Sequence, residues 1–239
     1  MLKPLAPFGN SKSSSNTNLS RSISLSFVDE NENEMPVRTG SSEPIEVLVP
    51  RDPQLLVPPM LLQNVTSMNS TPHNLLFHLH YVNLSSALPI SVHWEMKPLN
   101  ISLAYLLIYR FDHVPQLNNS VNLTDGWTLL CPTSRQLISA RQYPSIDFVA
   151  GLTNDSVHRY FIDNQRTTGH QAVVLGLREL SATELSQRCS STSTNGPPIT
   201  NDRVNFTSNY ELRTYTSGCY YLDNNNQWKA DGLTVRRCL

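Results

Sequence analysis

Apolar and polar residues alternate with a period of two along several stretches of the chain, and this period is typical of half-buried β-strands. In NLLFHLHYV (residues 74–82), apolar side chains occupy one face of the strand, while His78 and His80 occupy the other and are expected to point outward. In ISVHWEM (residues 90–96), Trp94 and the apolar residues two positions away from it are expected to face inward. The pattern therefore predicts strands in both stretches.

The most apolar run is LAYLLIYRF (residues 103–111), which lacks alternation. A continuous apolar strand is typical of a position in the middle of a sheet that is covered on both faces. Residues 51–60 are extended and punctuated by prolines, which suits the edge of a sheet. Further strands are predicted at residues 45–49, 127–131, 141–151, 158–163, 172–180 and 210–216.

One helix is predicted, directly after the strand at residues 172–180. Ser181 and Glu184 have the spacing of a capping box, in which each side chain accepts a backbone hydrogen bond from the other residue. The helix is short and is expected to end at Cys189. About ten short strands without alternating helices predict an all-β fold, an antiparallel β-sandwich with one short helix.

The end of the chain reads as a strand followed by a hairpin. Ser217 and Gly218 interrupt the strand, and the Asp- and Asn-rich residues 223–226 predict a turn. Trp228 is expected to return opposite Tyr220 and Tyr221, because cross-strand aromatic pairs set the register of short hairpins.

Composition excludes several classes of function. The 239 residues carry a formal net charge of −1 and only 15% charged residues, so no basic patch for nucleic acid is expected. No glycine-rich phosphate loop and no nucleophile motif of the GxSxG type occurs. The sequence therefore predicts neither a conventional enzyme nor a bound cofactor.

Asn-X-Ser/Thr sequons are frequent. Nine occur, about twice the number that the Asn, Ser and Thr content gives by chance, and such sites accept glycans only in a secreted chain. An extracellular or lumenal location and N-glycans as covalent partners are therefore predicted. Besides Asn18, the candidate glycosylation sites are Asn64, Asn69, Asn83, Asn100, Asn118, Asn122, Asn154 and Asn205.

Four cysteines, Cys131, Cys189, Cys219 and Cys238, allow two disulfides in three possible connectivities. We expect a bond between Cys131 and Cys189, since it would close the segment between a strand and the helix. No pair has CxxC spacing, and no His/Cys cluster has the spacing of a zinc site.

Three histidines raise the possibility of a metal site. His78, His80 and His93 could share the outward faces of adjacent strands, and imidazole is a common metal ligand. The sequence supplies neither a fourth ligand nor an orienting carboxylate. Exposed strand histidines are the simpler interpretation, and no metal is predicted.

Residues 1–44 differ from the rest of the chain. They are rich in Ser and Asn, carry an acidic patch and contain too few apolar residues to offset the entropy of ordering, so we predict a disordered linker. The N-terminus lacks the apolar segment of a signal peptide, and no run is long enough for a transmembrane helix. We therefore expect residues 45–239 to be one domain within a fragment of a longer protein.

TSGCYYLDNNNQWKADGLTV (residues 216–235) resembles the front half of a GPS motif, the proteolysis-site motif that closes a GAIN domain, in the form carried by polycystin-1-like proteins. The resemblance extends over about residues 45–235, with the truncated motif at residues 217–239. The matching residues are Cys219, Tyr220, Tyr221, Trp228 and Gly232.

The resemblance implies a GAIN subdomain B-like sandwich on the extracellular side of a membrane glycoprotein. Its partners would be the rest of the parent protein and polycystin-2-type subunits of calcium-permeable channel complexes with a sensing role. GPS motifs end in His-Leu-Ser/Thr, where the hydroxyl attacks the preceding carbonyl. This triplet is absent, so no self-cleavage is expected. Cys238 is either the partner of Cys219 on a shortened loop or part of foreign sequence.

A second hypothesis is a free-standing adhesive or lectin-like sandwich. Its binding surface would be formed by Trp94, Trp127 and Trp228, whereas the simpler interpretation of these residues is core packing. Sugar binding by the purified domain would favour this hypothesis over the membrane-protein module.

Overall fold

The computed structural model describes residues 29–31, 33, 47, 57–70, 76–84, 88–132, 156–189, 196–203, 205–223, 225, 227–230 and 232–233. The chain separates into two compact units, residues 1–57 with 238–239 and residues 58–237. All strands and helices given below belong to the second unit.

The described residues form twelve strands, a 3-10 segment and two short helices. The strands are β1 (Leu61–Gln63), β2 (His78–Asn83), β3 (Ser91–Pro98), β4 (Tyr105–Phe111), β5 (Gln116–Leu117), β6 (Asn122–Leu123), β7 (Gly126–Leu130), β8 (His158–Ile162), β9 (Ala172–Glu179), β10 (Tyr210–Ser217), β11 (Tyr221–Leu222) and β12 (Trp228–Lys229). The 3-10 segment is Val65–Ser70, and the helices are α1 (Asn164–Thr167) and α2 (Ala182–Arg188).

Eight of these strands form two four-stranded antiparallel sheets. The first sheet has the order β1-β10-β3-β8 and the second the order β2-β9-β4-β7. The pairs β5-β6 and β11-β12 are separate two-stranded hairpins. The predicted all-β antiparallel sandwich is confirmed, and most of the predicted strands in the described residues are present within a few residues of their expected ends.

The core lies between the two sheets. Trp94 and Met96 of β3 and Tyr210 of β10 pack there against Tyr105 and Leu175 of the second sheet, and all five are fully buried. Burial of a large apolar side chain stabilises a fold by about 1.5–3 kcal/mol. The inward direction of Trp94, expected from its alternating neighbours, is confirmed.

A second apolar cluster covers the other face of the second sheet. Leu106 and Ile108 of β4 belong to this cluster together with Phe77, Leu117 and Cys131. Strand β4 lies between β9 and β7, and its alternate residues belong to the main core and to the second cluster, so both of its faces are covered. This arrangement confirms the central strand expected from the continuous apolar run.

The capping box at the start of α2 is also confirmed. Ser181 accepts a hydrogen bond from the backbone of Glu184, whose carboxylate accepts one from the backbone of Ser181. Helix α1 was missed by the sequence analysis, because its four residues are too few to show a helical period. Asp163 caps it by accepting the backbone N–H of Arg166 at 2.9 Å.

The expected outward direction of His78 and His80 is wrong. Both histidines lie on the face of β2 that is directed toward Tyr210 in the core, while Phe77 packs in the second cluster and Tyr81 is 69% exposed. The alternation was read correctly, but both faces of this sheet are covered. The apolar face of β2 therefore lies over the second cluster and not over the main core.

The register of the C-terminal hairpin also differs from expectation. Trp228 pairs with Leu222, and Tyr221 pairs with Lys229. Asp223 determines this register, because its carboxylate accepts the backbone N–H of Asn225 and of Gln227, both at 2.9 Å. The hydrogen bonds of the Asp223 side chain within the turn, and not a cross-strand aromatic pair, therefore set the register of the hairpin.

Several predictions lie outside the described residues. They are the N-terminal linker over nearly all of its length, the strands at residues 45–49 and 141–151, most of the edge segment at residues 51–60, Asn18, Asn154 and the end of the GPS-like motif with Cys238. Among the helices that the structure describes, none has the length and apolarity needed to cross a membrane.

Candidate functional site

The outer face of the first sheet carries an ordered set of charged and aromatic side chains. We call it the polar face and define it by His93, Glu95, Lys97, Arg159, Phe161, Glu211, Arg213 and Tyr215. Alternation directs these residues of β3, β8 and β10 away from the core, because the residues between them are the ones that contribute to it. The antiparallel register then places them in rows across the three strands.

One row consists of a carboxylate between two guanidinium groups. Glu95 pairs with Arg213 on β10 and with Arg159 on β8. The carboxylate accepts Nε of Arg213 at 2.8 Å, lies 3.8 Å from Nε of Arg159, and accepts the hydroxyl of Tyr215 at 3.1 Å. The Glu95 side chain is only 8% exposed although it is on an outer face. Three neighbouring side chains therefore cover this charge and compensate for it.

The next row is aromatic. The imidazole of His93 stacks on Tyr215 at a centroid distance of 4.5 Å and an interplanar angle of 4°, and it contacts Phe161 on the other side at 4.9 Å. Nε2 of His93 is 2.7 Å from the hydroxyl of Ser217. The two rows together make a partly exposed surface that combines guanidinium groups with aromatic rings. Arginine and aromatic residues of this kind are enriched in protein interfaces.

Replacement of Glu95 by glutamine tests how strongly the charged row stabilises the sheet. Glu95→Gln removes the only carboxylate that Arg159 and Arg213 share in the row, and we expect a loss of about 2 kcal/mol in the free energy of unfolding, reduced by solvent at the arginines. Glu211→Gln is the matched control, since its ion pair with Lys97 is exposed and should contribute less than about 1 kcal/mol. Equal effects of the two variants in urea unfolding would contradict this account.

A second polar cluster lies at the inner face of β2. The hydroxyl of Tyr210 is 2.6 Å from Nδ1 of His78 and 2.8 Å from Nε2 of His80, so it donates to one imidazole and accepts from the other. Burial lowers the pKa of His78, and burial together with the nearby His78 lowers the pKa of His80 to about 3. Both imidazoles are therefore neutral hydrogen-bonding groups at physiological pH.

The three histidines considered as a metal set do not come together. His78 and His80 are on β2 of the second sheet and contact Tyr210, whereas His93 is on β3 of the first sheet and belongs to the polar face. The expectation that they share the outward faces of adjacent strands is wrong. Strands β2 and β3 follow each other in the sequence but belong to different layers of the sandwich.

Cys131 and Cys189 form a disulfide, as expected from the sequence. The bond joins the end of β7 to the C-terminal cap of α2 across 58 residues of sequence, and both cysteines are buried in the second cluster. Cys219 is exposed. Cys238 lies outside the described residues, so both alternatives for it, a bond to Cys219 or foreign sequence, stay open.

The GPS-like residues form a small hairpin after β10. Burial raises the pKa of Tyr220, which is half-buried, while Tyr221 is 38% exposed and Trp228 is half-buried. Lys229 pairs with Asp223 at 2.8 Å and holds the base of the turn. Gly232 has a φ of 75°, which a residue without a side chain adopts freely.

The sequons are found at strand ends and turns. Asn100 and Asn122 each accept a hydrogen bond from the hydroxyl two residues later, at 2.7 Å from Ser102 and at 3.1 Å from Thr124. Asn118 is half-buried and accepts two turn N–H groups. Asn69 lies in the 3-10 segment. The asparagines Asn64, Asn83, Asn100, Asn122 and Asn205 are exposed.

The tryptophans do not form the shared binding surface that a lectin-like protein would need. Trp94 is fully buried between the sheets, and Trp127 is half-buried against the second cluster. Trp228 is in the C-terminal hairpin. Core packing is therefore the role of Trp94, and the lectin-like hypothesis loses that contribution.

Sequence reasoning missed Arg159, Arg213 and Tyr215 as candidate functional residues. Each lies at an alternate position of a correctly predicted strand, so its outward direction was available from the sequence. The sequence did not show which strands lie next to each other. Strands β8 and β10 both pair with β3, although they follow it by about sixty and one hundred and twenty residues.

Comparison of the chain with protein-family models, with curated proteins and with solved structures finds no match.

Proposed function

We propose that this chain is a non-catalytic structural and interaction module on the extracellular side of a polycystin-1-like membrane glycoprotein. The disulfide between Cys131 and Cys189 is the observation that carries the extracellular location, and the resemblance of residues 216–235 to a GPS motif carries the family. Disulfides persist in secreted and extracellular proteins and are rare in reducing compartments. The bond is buried and joins the end of β7 to α2, so it is part of the folded domain. An oxidising extracellular compartment would keep it intact.

The positions of the sequons support the same compartment. A bulky glycan requires an asparagine that reaches solvent, and five of the candidate asparagines are exposed. They lie at the ends of strands and in loops, where a glycan leaves both layers of the sandwich undisturbed. No described candidate asparagine is among the residues of the polar face.

The polar face is the surface that we assign to interaction with other proteins. Arg213 and Tyr215 are partly exposed, and the ion pairs with Glu95 and the stacking on His93 hold their side chains in place. Side chains that are already ordered lose less entropy when a partner covers them. Partners of this surface would be other parts of the parent protein or polycystin-2-type channel subunits.

Peptide mapping of the chain after expression in a secretory host tests the proposal. Digestion without reduction should release Cys131 and Cys189 in one linked peptide, and glycopeptides should carry N-glycans at the exposed sequons. We also expect the chain to remain uncleaved, since the GPS-like motif lacks the His-Leu-Ser/Thr triplet.

A folded chain that leaves the host without glycans and with both cysteines reduced would contradict the proposed compartment. A new fragment that appears after folding would contradict the absence of self-cleavage. These two results are independent, because the first concerns Cys131, Cys189 and the sequons, and the second concerns only the end of the chain.

A further inference from the structure

Strand β2 carries an aromatic side chain that belongs to neither apolar cluster. Leu79 on the outer face of this strand packs against the second cluster, whereas Tyr81, two residues further along the same face, is 69% exposed. A tyrosine ring combines a large apolar area with an electron-rich face that attracts polarised C–H groups. The ring of Tyr81 is therefore open to a group that lies outside the sandwich.

Asn83 follows on the same face of β2 and begins the sequon Asn83-Leu84-Ser85. It is exposed. Side chains two positions apart in a strand point to the same face, and their backbone positions are about 6.5 Å apart. Strand β2 pairs with β9 along its whole length, and the backbone N–H of Leu84 continues the pairing with a hydrogen bond of 2.8 Å to Gln171. The extended backbone that places Tyr81 beside Asn83 is therefore fixed on both sides of the asparagine.

This combination occurs once among the nine sequons. Tyr81 is the only aromatic residue that stands two positions before a sequon asparagine. At the corresponding position before Asn122, for example, the chain has Ser120. The sequence and the strand geometry together single out Asn83 as the site where a glycan would start beside an open aromatic ring.

From this pair we infer that Asn83 carries an N-glycan whose first N-acetylglucosamine packs against the ring of Tyr81. The sugar is joined to Nδ2 of Asn83, and one face of its pyranose ring presents C–H groups that suit the electron-rich face of the tyrosine. The covalent link makes the contact intramolecular, so a weak interaction is populated without the cost of bringing two molecules together. Tyrosine has only two side-chain torsions, so its ring is ordered at a small entropic cost.

The inference rests on the proposed extracellular role, because a chain receives N-glycans only if it is secreted. It adds to that role which sequon has a protein contact for its sugar. Tyr81 lies on the outer face of the second sheet, and the polar face is the outer face of the first sheet. A sugar held against Tyr81 therefore leaves the polar face open to other proteins.

A double-mutant cycle on the full chain from a secretory host measures the contact between sugar and ring. Its four chains are the native chain, Tyr81→Thr, Asn83→Gln and the combination of both, and mass spectrometry verifies the glycan in the two chains that keep Asn83. With Tyr81 present, we expect loss of the glycan to raise the unfolding equilibrium constant in urea about two- to tenfold, the range that aromatic contacts give. In the Tyr81→Thr background, the same loss should leave the constant nearly unchanged.

Three further variants assign the effect to the sugar and the ring. Ser85→Ala removes the glycan but keeps the Asn83 side chain, so it should behave as Asn83→Gln does. Tyr81→Phe keeps the ring, so the glycan should stabilise this variant as it does the native chain. Asn122→Gln is the matched control, since no aromatic residue stands two positions before Asn122, and its effect should be the same with Tyr81 and with Tyr81→Thr.

Equal effects of Asn83→Gln in the two backgrounds would overturn the inference. An unoccupied Asn83 in a chain that carries glycans at other exposed sequons would overturn it as well, and neither result contradicts the proposed compartment. A folded chain without a glycan at any sequon would overturn both the inference and the proposed compartment, so the two failures are distinguishable.

Discussion

Replacement of both Cys131 and Cys189 by alanine is expected to lower the free energy of unfolding by about 4 kcal/mol, the value that loop-closure entropy gives for the 58 residues that the bond encloses. The loss is a large part of the 5–15 kcal/mol that is typical of a folded domain. The cysteines also contribute buried area to the second cluster, which adds to the effect. Urea unfolding of the oxidised native chain and of the double variant measures the difference.

Gln187→Ala is the control for this prediction, since it changes an exposed residue of α2 that is close to Cys189 in the sequence and outside both apolar clusters. It should destabilise the chain much less than the double variant. A double variant within 1 kcal/mol of the native chain would show that the bond adds little to a sandwich that is already held by its core.

Acidification from pH 7 to pH 5 is expected to destabilise the fold by about 4 kcal/mol through two buried histidines, at about 2 kcal/mol each. Burial and the nearby His78 lower the pKa of His80 to about 3, and burial lowers the pKa of His158 to about 4. The unfolded chain, with histidine pKa values near 6.5, therefore binds more protons than the folded chain between about pH 4 and pH 6.5. Stability is greatest above this window and falls as protons are added.

The double variant His80→Gln and His158→Gln should show a flatter dependence of unfolding free energy on pH, because glutamine does not titrate. His113→Gln should leave the dependence unchanged, since His113 is exposed. Chemical denaturation at a series of pH values between 7 and 5 makes the comparison. The same slope in the native chain and the double variant would exclude these histidines as its cause.

Much of the fold could be predicted from single segments. The alternation in β3 and β10, the apolar run of β4 and the capping box at Ser181 each depend on residues within a few positions of one another. Hydrophobic period and helix capping are defined by residues close together in the sequence, so both can be recognised without knowledge of the tertiary contacts. The strand positions and the helix were accordingly predicted well within the described residues.

Local patterns did not predict which face of β2 meets the main core. Alternation identifies two faces of a strand but does not say which face meets the main core when both are covered. Phe77 packs in the second cluster, and His78 and His80 bond to Tyr210, which follows them by about one hundred and thirty residues. Only the stacking of the two sheets decides between the faces.

The candidate sites depended even more on long-range pairing. Glu95 acquires its guanidinium partners from β8 and β10. Each of these residues is unremarkable within its own segment. The disulfide could be anticipated only because cysteines are few and few connectivities exist.

By itself, the sequence determined the class of the fold, the positions of most strands and the capped helix, because period and capping are read within short segments. The bond between Cys131 and Cys189 was an expectation among three possible connectivities, and the structure confirmed it. The tertiary structure alone decided the order of the strands in the two sheets, the inward face of β2 and the rows of the polar face. The physical reason is that sheet order and packing join residues sixty or more positions apart, and no local period carries that information.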